Sequence, residues 1–512
     1  MQSRKDPPST LGSVPLFVII MGIGSAAMIL PALHAWSRSD YFTGRIFLYG
    51  TIIGCVVTLL IGLATQGRRP SNLARTQLST LVATFIFMPV VFALPFHEAS
   101  RSASFLNSWF EMVSSFTTTG ATLYDNPQRI APSLHLWRAL VGWLGGLLTW
   151  IAALAILAPL NIGGFEVRSS MRAADTRQTH TQINRRADTS ERLVRYGRAL
   201  IPVYVGLTTA LWLGLLAAGE IPFVAICHAM SVMATSGISP IGGTHYGASG
   251  VVGEMLIFVF LAFGISRLTF SAGLFSNDNR KLWKDPEVQM AFALVVIVPT
   301  LLILRHFVGA AEDAAGTDLR SALAALWGAI FTVLSFLSTT GFESAEWLDA
   351  RDWSGLETPG LILVGLALVG GGVATTAGGV KLLRVYALFR HGERELERLV
   401  HPNSVGGSGQ EARLIRRQGA YISWIFFMLF ALSIAAVMLM LTSTGVQFET
   451  AMVLAVSALS TTGPLASVAA EHPISYAGIP EMAKAVLAFA MVLGRMETLA
   501  IIALLNPEFW RS

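Results

Sequence analysis

Phe110-Glu-Met-Val-Ser-Ser-Phe-Thr-Thr-Thr-Gly120 decides the fold, because the chain repeats it. A moderately apolar run leads into Ser or Thr and then Gly. The pattern returns as His228-Ala-Met-Ser-Val-Met-Ala-Thr-Ser-Gly237, Phe331-Thr-Val-Leu-Ser-Phe-Leu-Ser-Thr-Thr-Gly341 and Ala451-Met-Val-Leu-Ala-Val-Ser-Ala-Leu-Ser-Thr-Thr-Gly463. The glycines stand 117, 104 and 122 residues apart. Each lies between one long apolar stretch and another, so the chain reads as span, short helix, glycine loop, span, four times over. A single Ser-Thr-Thr-Gly in apolar surroundings is weak evidence, since Thr and Gly also mark helix contacts and helix ends. Four in the same relative place are hard to produce by packing alone.

The rest of the chain suits a bilayer. Of 512 residues, 53% are hydrophobic and 13% charged, with a mean hydropathy of +0.59, where a soluble domain carries about 25% charged residues. Ten stretches approach the roughly 20 residues that cross the hydrocarbon as a helix: 16–33, 46–64, 78–94, 136–160, 200–218, 255–275, 288–304, 360–379, 422–441 and 483–505. The short runs before the glycines then read as re-entrant half-helices of about 10–14 residues. Backbone that leaves a helix at membrane depth persists only where protein buries it or water and ions bathe it. A ring of carbonyl oxygens replaces the hydration shell of potassium, and glycine admits the φ values that turn successive carbonyls toward one axis. The negative end of each half-helix also points at the ion. The candidate filter is therefore Thr118, Thr119, Gly120, Thr235, Ser236, Gly237, Thr339, Thr340, Gly341, Thr461, Thr462 and Gly463, with K+ as the only metal ion expected.

Charge sets the orientation. Arg68, Arg69 and Arg75 form one basic segment, residues 168–198 carry eight arginines, and residues 381–417 carry Lys381 and seven arginines. The positive-inside rule places all three in the cytoplasm, with both termini. Residues 343–357 hold Glu343, Glu346, Asp349, Asp352 and Glu357 against Arg351, an acidic surface that faces outward and gathers cations. The net charge of +5 thus reflects topology, and no aromatic-rich basic stripe points to nucleic acid. Cys55 and Cys227 lie in apolar surroundings, and the histidines lack metal-ligand spacing, so neither a disulfide framework, a metal site nor an enzyme is indicated. The first apolar run, after Arg4 and Lys5, is closer to a full span than to a signal-peptide core.

These residues resemble the Trk/Ktr/HKT superfamily of potassium transporters, most closely the bacterial Trk-type membrane subunit. The stretch Trp109-Phe-Glu-Met to Thr-Thr-Thr-Gly-Ala-Thr122 is similar to that family's first pore loop. Leu160-Asn-Ile-Gly-Gly-Phe165 resembles its Gly-Gly turn, and Gly370-Gly-Gly to Ala-Gly-Gly-Val-Lys381 its broken third inner helix. Leu493-Gly-Arg-Met-Glu497 and Pro507-Glu-Phe-Trp-Arg511 are similar to its last helix and tail. The resemblance implies an all-α membrane protein of the bacterial inner membrane: four fused units around one pseudo-fourfold pore, after a two-helix extension. The divisions are 1–66 for the extension, 67–160, 161–276 and 277–380 for units 1 to 3, and 381–512 for the fourth. Because all four glycines are present, the sodium-admitting relatives with serine at the first are the poorer match. The resemblance also implies a homodimer and a separate cytoplasmic ring of RCK-type subunits. ATP, ADP or NAD is then expected on that partner, and this chain binds no cofactor.

Two constellations lie outside the filter. Residues 370–379 hold Gly370, Gly371, Gly372, Gly378 and Gly379 with Thr375 and Thr376, and each glycine costs a helix about 1 kcal/mol relative to alanine. The helix is expected to break there, and no GxxxxGK[ST] or preceding strand supports a phosphate loop. Either small-residue packing or an obstructing loop below the filter accounts for the run; the family likeness favours the loop. Arg495, deep in the last span, should face a wet cavity or a partner, and the resemblance assigns it to the gate. A snorkelling role stays open for it, and Lys381 fits either the gate or ordinary cytoplasmic charge. The rival class is a proton- or sodium-coupled carrier with midplane carboxylates, for which Glu111, Glu254 and Glu497 are the candidates. The basic loops also suit anionic membrane lipid.

Overall fold

The computed structural model describes residues 15–65, 73–101, 103–158, 164–165, 189–266, 283, 285–309, 319–354, 360–401, 419–470 and 472–496. Glu497, the tail 507–511, residues 160–163, most of the basic stretch 168–198 and its counterpart from 402 to 417 lie outside them. Among the described residues every regular element is helical.

The extension comes first. α1 (Leu16–Ala27) and α2 (Ile29–Ser37) form one 22-residue span interrupted at Met28, and α3 (Tyr41–Thr65) returns beside it. The interruption follows from Pro31, which has no N–H to give the carbonyl four residues earlier. Small residues bring these helices close: a Cβ added to Gly54 would lie 2.4 Å from the Ser25 hydroxyl, and one on Gly24 would lie 2.5 Å from the Phe92 ring.

Each unit then supplies an outer helix, a pore helix and an inner helix. Unit 1 has α4 (Leu73–Ser100), α5 (Phe105–Phe116) and α6 (Pro132–Ala152). Unit 2 has α7 (Thr189–Ala217), α8 (Pro222–Ala234) and α9 (Gly250–Leu261). Unit 3 has α10 (Pro286–Gly309), α11 (Leu319–Leu337), a short α12 (Trp347–Ser354) and α13 (Gly360–Val369). After α14 (Leu382–Val400), unit 4 has α15 (Ala420–Ser443), α16 (Phe448–Leu459), the turn-length α17 (Leu465–Val468) and α18 (Glu481–Met496).

The units close on one another in order. Inner helix α6 packs on pore helix α8, α9 on α11, α13 on α16, and α18 returns to α5. That is a ring of four within one chain. The end of α5 is set by an aromatic cluster in which Phe116 meets Phe85 and Phe92, with ring centroids 5.0 and 5.5 Å apart. Phe92 stands at right angles to Trp137 of α6, whose indole N–H donates to the Phe92 carbonyl at 3.2 Å.

Helix bounds can be compared with the expected ones among the described residues. Eight helices among the described residues are long and apolar enough to cross a membrane. Within the expected span 255–275, the residues described, to 266, hold the end of α9 and one 3-10 turn, Ala262–Gly264. The Gly264 carbonyl is turned toward the 370–379 segment, where it accepts from the Gly372 N–H at 3.0 Å. Span 360–379 breaks in its glycine run, as expected there: α13 has ten residues and ends before Gly370, whose φ is 71°. Span 483–505 begins earlier, at Glu481, and is described to Met496. Pore helix α11, expected at about 10–14 residues, runs to 19, because Ala322, Ala324 and Ala325 extend it with good helix formers.

Candidate ion-conducting site

Each pore helix ends in the same turn. Thr118, Thr235, Thr339 and Thr461, two residues before the four glycines, all adopt left-handed backbone with φ of 54°, 49°, 57° and 54°. A β-branched residue there is an outlier that surrounding structure must enforce. The enforcing bonds recur: the N–H of Thr119, Ser236, Thr340 and Thr462 donates to the carbonyl of Ser114, Ser231, Ser335 and Ser457, at 2.8 to 2.9 Å. Gly120, Gly237 and Gly341 follow with φ of 74°, 65° and 81°. Gly463 is not among the positive-φ residues, and Pro464 after it marks the same departure.

The four turns touch in sequence around the ring. A Cβ on Gly120 would lie 1.9 Å from the Ser236 carbonyl oxygen, and one on Gly237 would lie 2.2 Å from that of Thr340. On Gly341 it would meet the Pro464 ring at 2.9 Å, and on Gly463 the Ala121 nitrogen at 2.1 Å. The Gly463 N–H closes the ring by donating to the Thr119 carbonyl at 2.6 Å. All twelve residues of the candidate filter thus converge, and the eight Thr and Ser among them are buried. The hydroxyls of Thr118 and Thr461 have no protein partner among the described residues.

Behind the ring, brackets tie pore helices to the chain beyond each turn. Glu111 of α5, fully buried, accepts from the Leu123 N–H at 2.6 Å and the Thr122 hydroxyl at 2.9 Å, and pairs with Arg138 of α6 at 2.8 Å. The equivalent positions are His228, whose ring meets the Ser239 hydroxyl at 2.8 Å, and Thr332, which accepts from the Ser344 N–H at 3.3 Å. Glu254 at the head of α9 accepts from the Ser344 hydroxyl, the Ala345 N–H and the Trp327 indole, at 2.6 to 2.9 Å. Both described carrier-type carboxylates therefore hold post-turn loops, and Glu497 lies outside the described residues.

The segment 370–379 touches units 2, 3 and 4, and Arg495 links it to unit 1. The Gly378 N–H donates to the Thr339 hydroxyl at 2.7 Å, and a Cβ on Gly378 would lie 2.2 Å from the Ser460 carbonyl and 2.3 Å from the Thr461 hydroxyl. The Thr376 hydroxyl donates to the Met233 carbonyl at 3.3 Å. Arg495 donates to the Thr376 carbonyl at 2.6 Å and to the Thr149 hydroxyl of α6 at 2.9 Å. Thr375 bonds to the carbonyls of Gly264 and Gly372, and the buried Lys381 donates to that of Ala377. Gly371 and Gly372 lie against the Gly264 and Ile265 carbonyls, and Gly379 against Gly370. A cavity lined by Thr149, Thr375, Gly378, Lys381 and Arg495 adjoins the segment.

A family model described as TrkH, cation transport protein, matches residues 44–511. The chain belongs to the TrkH family. Among its relatives, the Trk system potassium uptake protein TrkH of Salmonella typhimurium is 29% identical over 508 residues, 98% of each chain. TrkH of Vibrio parahaemolyticus is 30% identical over 436 residues, 82% of this chain and 83% of the relative. The crystal structure of the potassium transporter TrkH from Vibrio parahaemolyticus matches with a TM-score of 0.80 at 25% identity, covering 98% of this chain and all of that one. Membership of the TrkH family makes this a multi-pass transport protein and not an enzyme.

Two features of this TrkH-family ring escape a reading of single motifs. The serine six residues before each glycine, Ser114, Ser231, Ser335 and Ser457, shapes every turn, and aligning the four motifs on their glycines exposes it. Arg138, the partner of Glu111, has no local signal beyond being a charge inside an apolar span.

Proposed function

We propose that this chain carries potassium into the cell through the ring of four turns. The carbonyls of Thr118, Thr119 and Gly120 and their counterparts in units 2 to 4 stand in for water around the ion. The observation that carries the reading is the quartet of left-handed threonines, each followed by a residue whose N–H is held by a serine carbonyl and by a glycine that abuts the next unit. Backbone strained alike in four places, at about 1–3 kcal/mol each, serves a shared task at the axis. The segment 370–379, with Lys381 and Arg495, is the gate: it leans on the pore helix of unit 2 and the turns of units 3 and 4 while Arg495 ties it to units 1 and 4. Glu111 and Glu254, each committed to bracketing a loop, do not favour a carboxylate carrier. The working unit is a homodimer whose basic cytoplasmic loops dock an RCK-type ring, and nucleotide binds that ring.

The test is rubidium and sodium uptake in cells stripped of their own potassium uptake systems. Gly120→Ser must push aside the Ser236 carbonyl. It is expected to lower discrimination against sodium by about tenfold, ~1.4 kcal/mol, with its three counterparts acting likewise. Unchanged ion preference in all four variants would move the ion path elsewhere. Arg495→Ala is expected to raise flux.

A further inference from the structure

The gate segment has two shoulders, and they are held differently. The shoulder at 376–378 leans on the Met233 carbonyl of α8 and on the Thr339 hydroxyl of the third turn. The shoulder at 372–375 is held at the junction between units 2 and 3. There the Gly372 N–H and the Thr375 hydroxyl both donate to the Gly264 carbonyl at 3.0 Å, and the Val373 N–H donates to the Glu287 carboxylate at 2.8 Å. Glu287 stands in the first turn of α10 and is fully buried. Asp285 beside it accepts from the Glu287 N–H at 3.2 Å and from the Ser266 hydroxyl at 2.8 Å, fixing the start of α10 against the end of unit 2.

The chemistry of this second shoulder is unequal. Its neutral bonds to Gly264 are of the kind that water replaces at little cost when the segment moves. A hydrogen bond to a carboxylate is shorter and roughly twice as strong, and the burial of Glu287 makes its loss costlier still. Val373 cannot leave its place without breaking that bond, and its side chain is fully buried, with Gly164 so close that a Cβ there would lie 2.2 Å away. We infer that Glu287 is the latch of the gate: a positioning residue that holds the 372–375 shoulder, and through it the whole segment, in the obstructing position. The inference rests on the reading of residues 370–379 as a gate.

The test compares rubidium uptake in three backgrounds of the full-length chain: parent, a deletion within residues 370–379, and Glu287 variants. Glu287→Met, which removes the acceptor at similar volume, should raise uptake about threefold to tenfold, the reach of one lost charge-assisted bond on a two-state equilibrium. Glu287→Gln, which keeps an acceptor oxygen, should restore most of the closed behaviour. The preference for rubidium over sodium should stay at the parent's value, and Glu287→Met should add nothing to the deletion. A deletion that fails to raise uptake overturns the gate and the latch together. A deletion that raises uptake while Glu287→Met does not, or adds to it, overturns the latch alone. Should Glu287→Met not reach the membrane, Glu287→Leu, which also removes the acceptor, decides: uptake at or below the parent's level, with the deletion active, overturns the latch.

Discussion

Four serines in equivalent places do unequal work. Ser457 donates to the Thr462 carbonyl at 3.0 Å and meets the Tyr476 hydroxyl at 2.7 Å, whereas the Ser335 hydroxyl, equally buried, has no partner among the described residues. Removing a satisfied buried hydroxyl costs about 1–2 kcal/mol, and removing an idle one costs little. Ser457→Ala should therefore unfold at a visibly lower temperature in detergent than the parent, and Ser335→Ala close to the parent's. Equal shifts would show that the shared serine acts through its backbone alone. The twelve turn residues were legible because glycine and hydroxyl residues at fixed spacing are conspicuous in an apolar chain. The serines were on view in the same four lines but look ordinary at the end of an apolar helix. The left-handed threonines were not legible at all, since no local preference puts threonine there and the conformation is imposed from around it.

At the level of helices, the weak points of the reading were lengths. The glycine run 370–379 announces a break, and the φ of 71° at Gly370 shows at which residue the helix stops. The stretch that begins with α9 reads as a long span, but the turn after it gives the Gly264 carbonyl to a segment far along the chain. Helix-to-helix ties are likewise invisible locally: Glu111 and Arg138 lie on α5 and α6, and their pairing depends on how those two helices meet. Breaking a buried pair on one side leaves a charge without its partner, at about 3–5 kcal/mol, while replacing both groups costs far less. Arg138→Met should therefore destabilise the protein severely, and adding Glu111→Gln should recover most of the loss. A double variant no more stable than Arg138→Met, by thermal unfolding, would mean that Arg138 matters for packing and not for charge.

Across the whole molecule the acidic face bears on supply. Glu343 lies two residues past the third glycine; the Thr244 hydroxyl of unit 2 donates to its carbonyl at 2.6 Å, and Ser467 of unit 4 lies 3.4 Å from its carboxylate. Burial raises its pKa to about 7, outweighing the Ser467 bond and the Arg351 charge, which lower it. Its charge is present above that value and disappears as pH falls through it. In the proposed orientation, external acidification from pH 8 to 6 should cut uptake from dilute rubidium by about twofold to fivefold, as a cation-attracting charge is lost. Glu343→Gln should flatten that response, and a parent response that survives the substitution would assign it to another group. The cytoplasmic face carries the opposite prediction. The purified chain alone should bind no ATP, ADP or NAD, and neutralising the arginines of both basic loops should abolish co-purification with an RCK-type ring. Saturable nucleotide binding to the chain alone would reverse that division.

The closure of unit 4 on unit 1 also sets a clock on biosynthesis. Lys484 of α18 donates to Asn107 of α5 at 3.2 Å across 377 residues of chain, and Arg495 reaches Thr149 across 346. A ribosome adding about 5–20 residues per second takes roughly 20 to 75 seconds to make that much polypeptide. For that interval the first half-helix sits in the bilayer without its last neighbour, its polar side chains waiting. A nascent chain stalled before residue 481 would stay in that unfinished state, open to capture by membrane proteases.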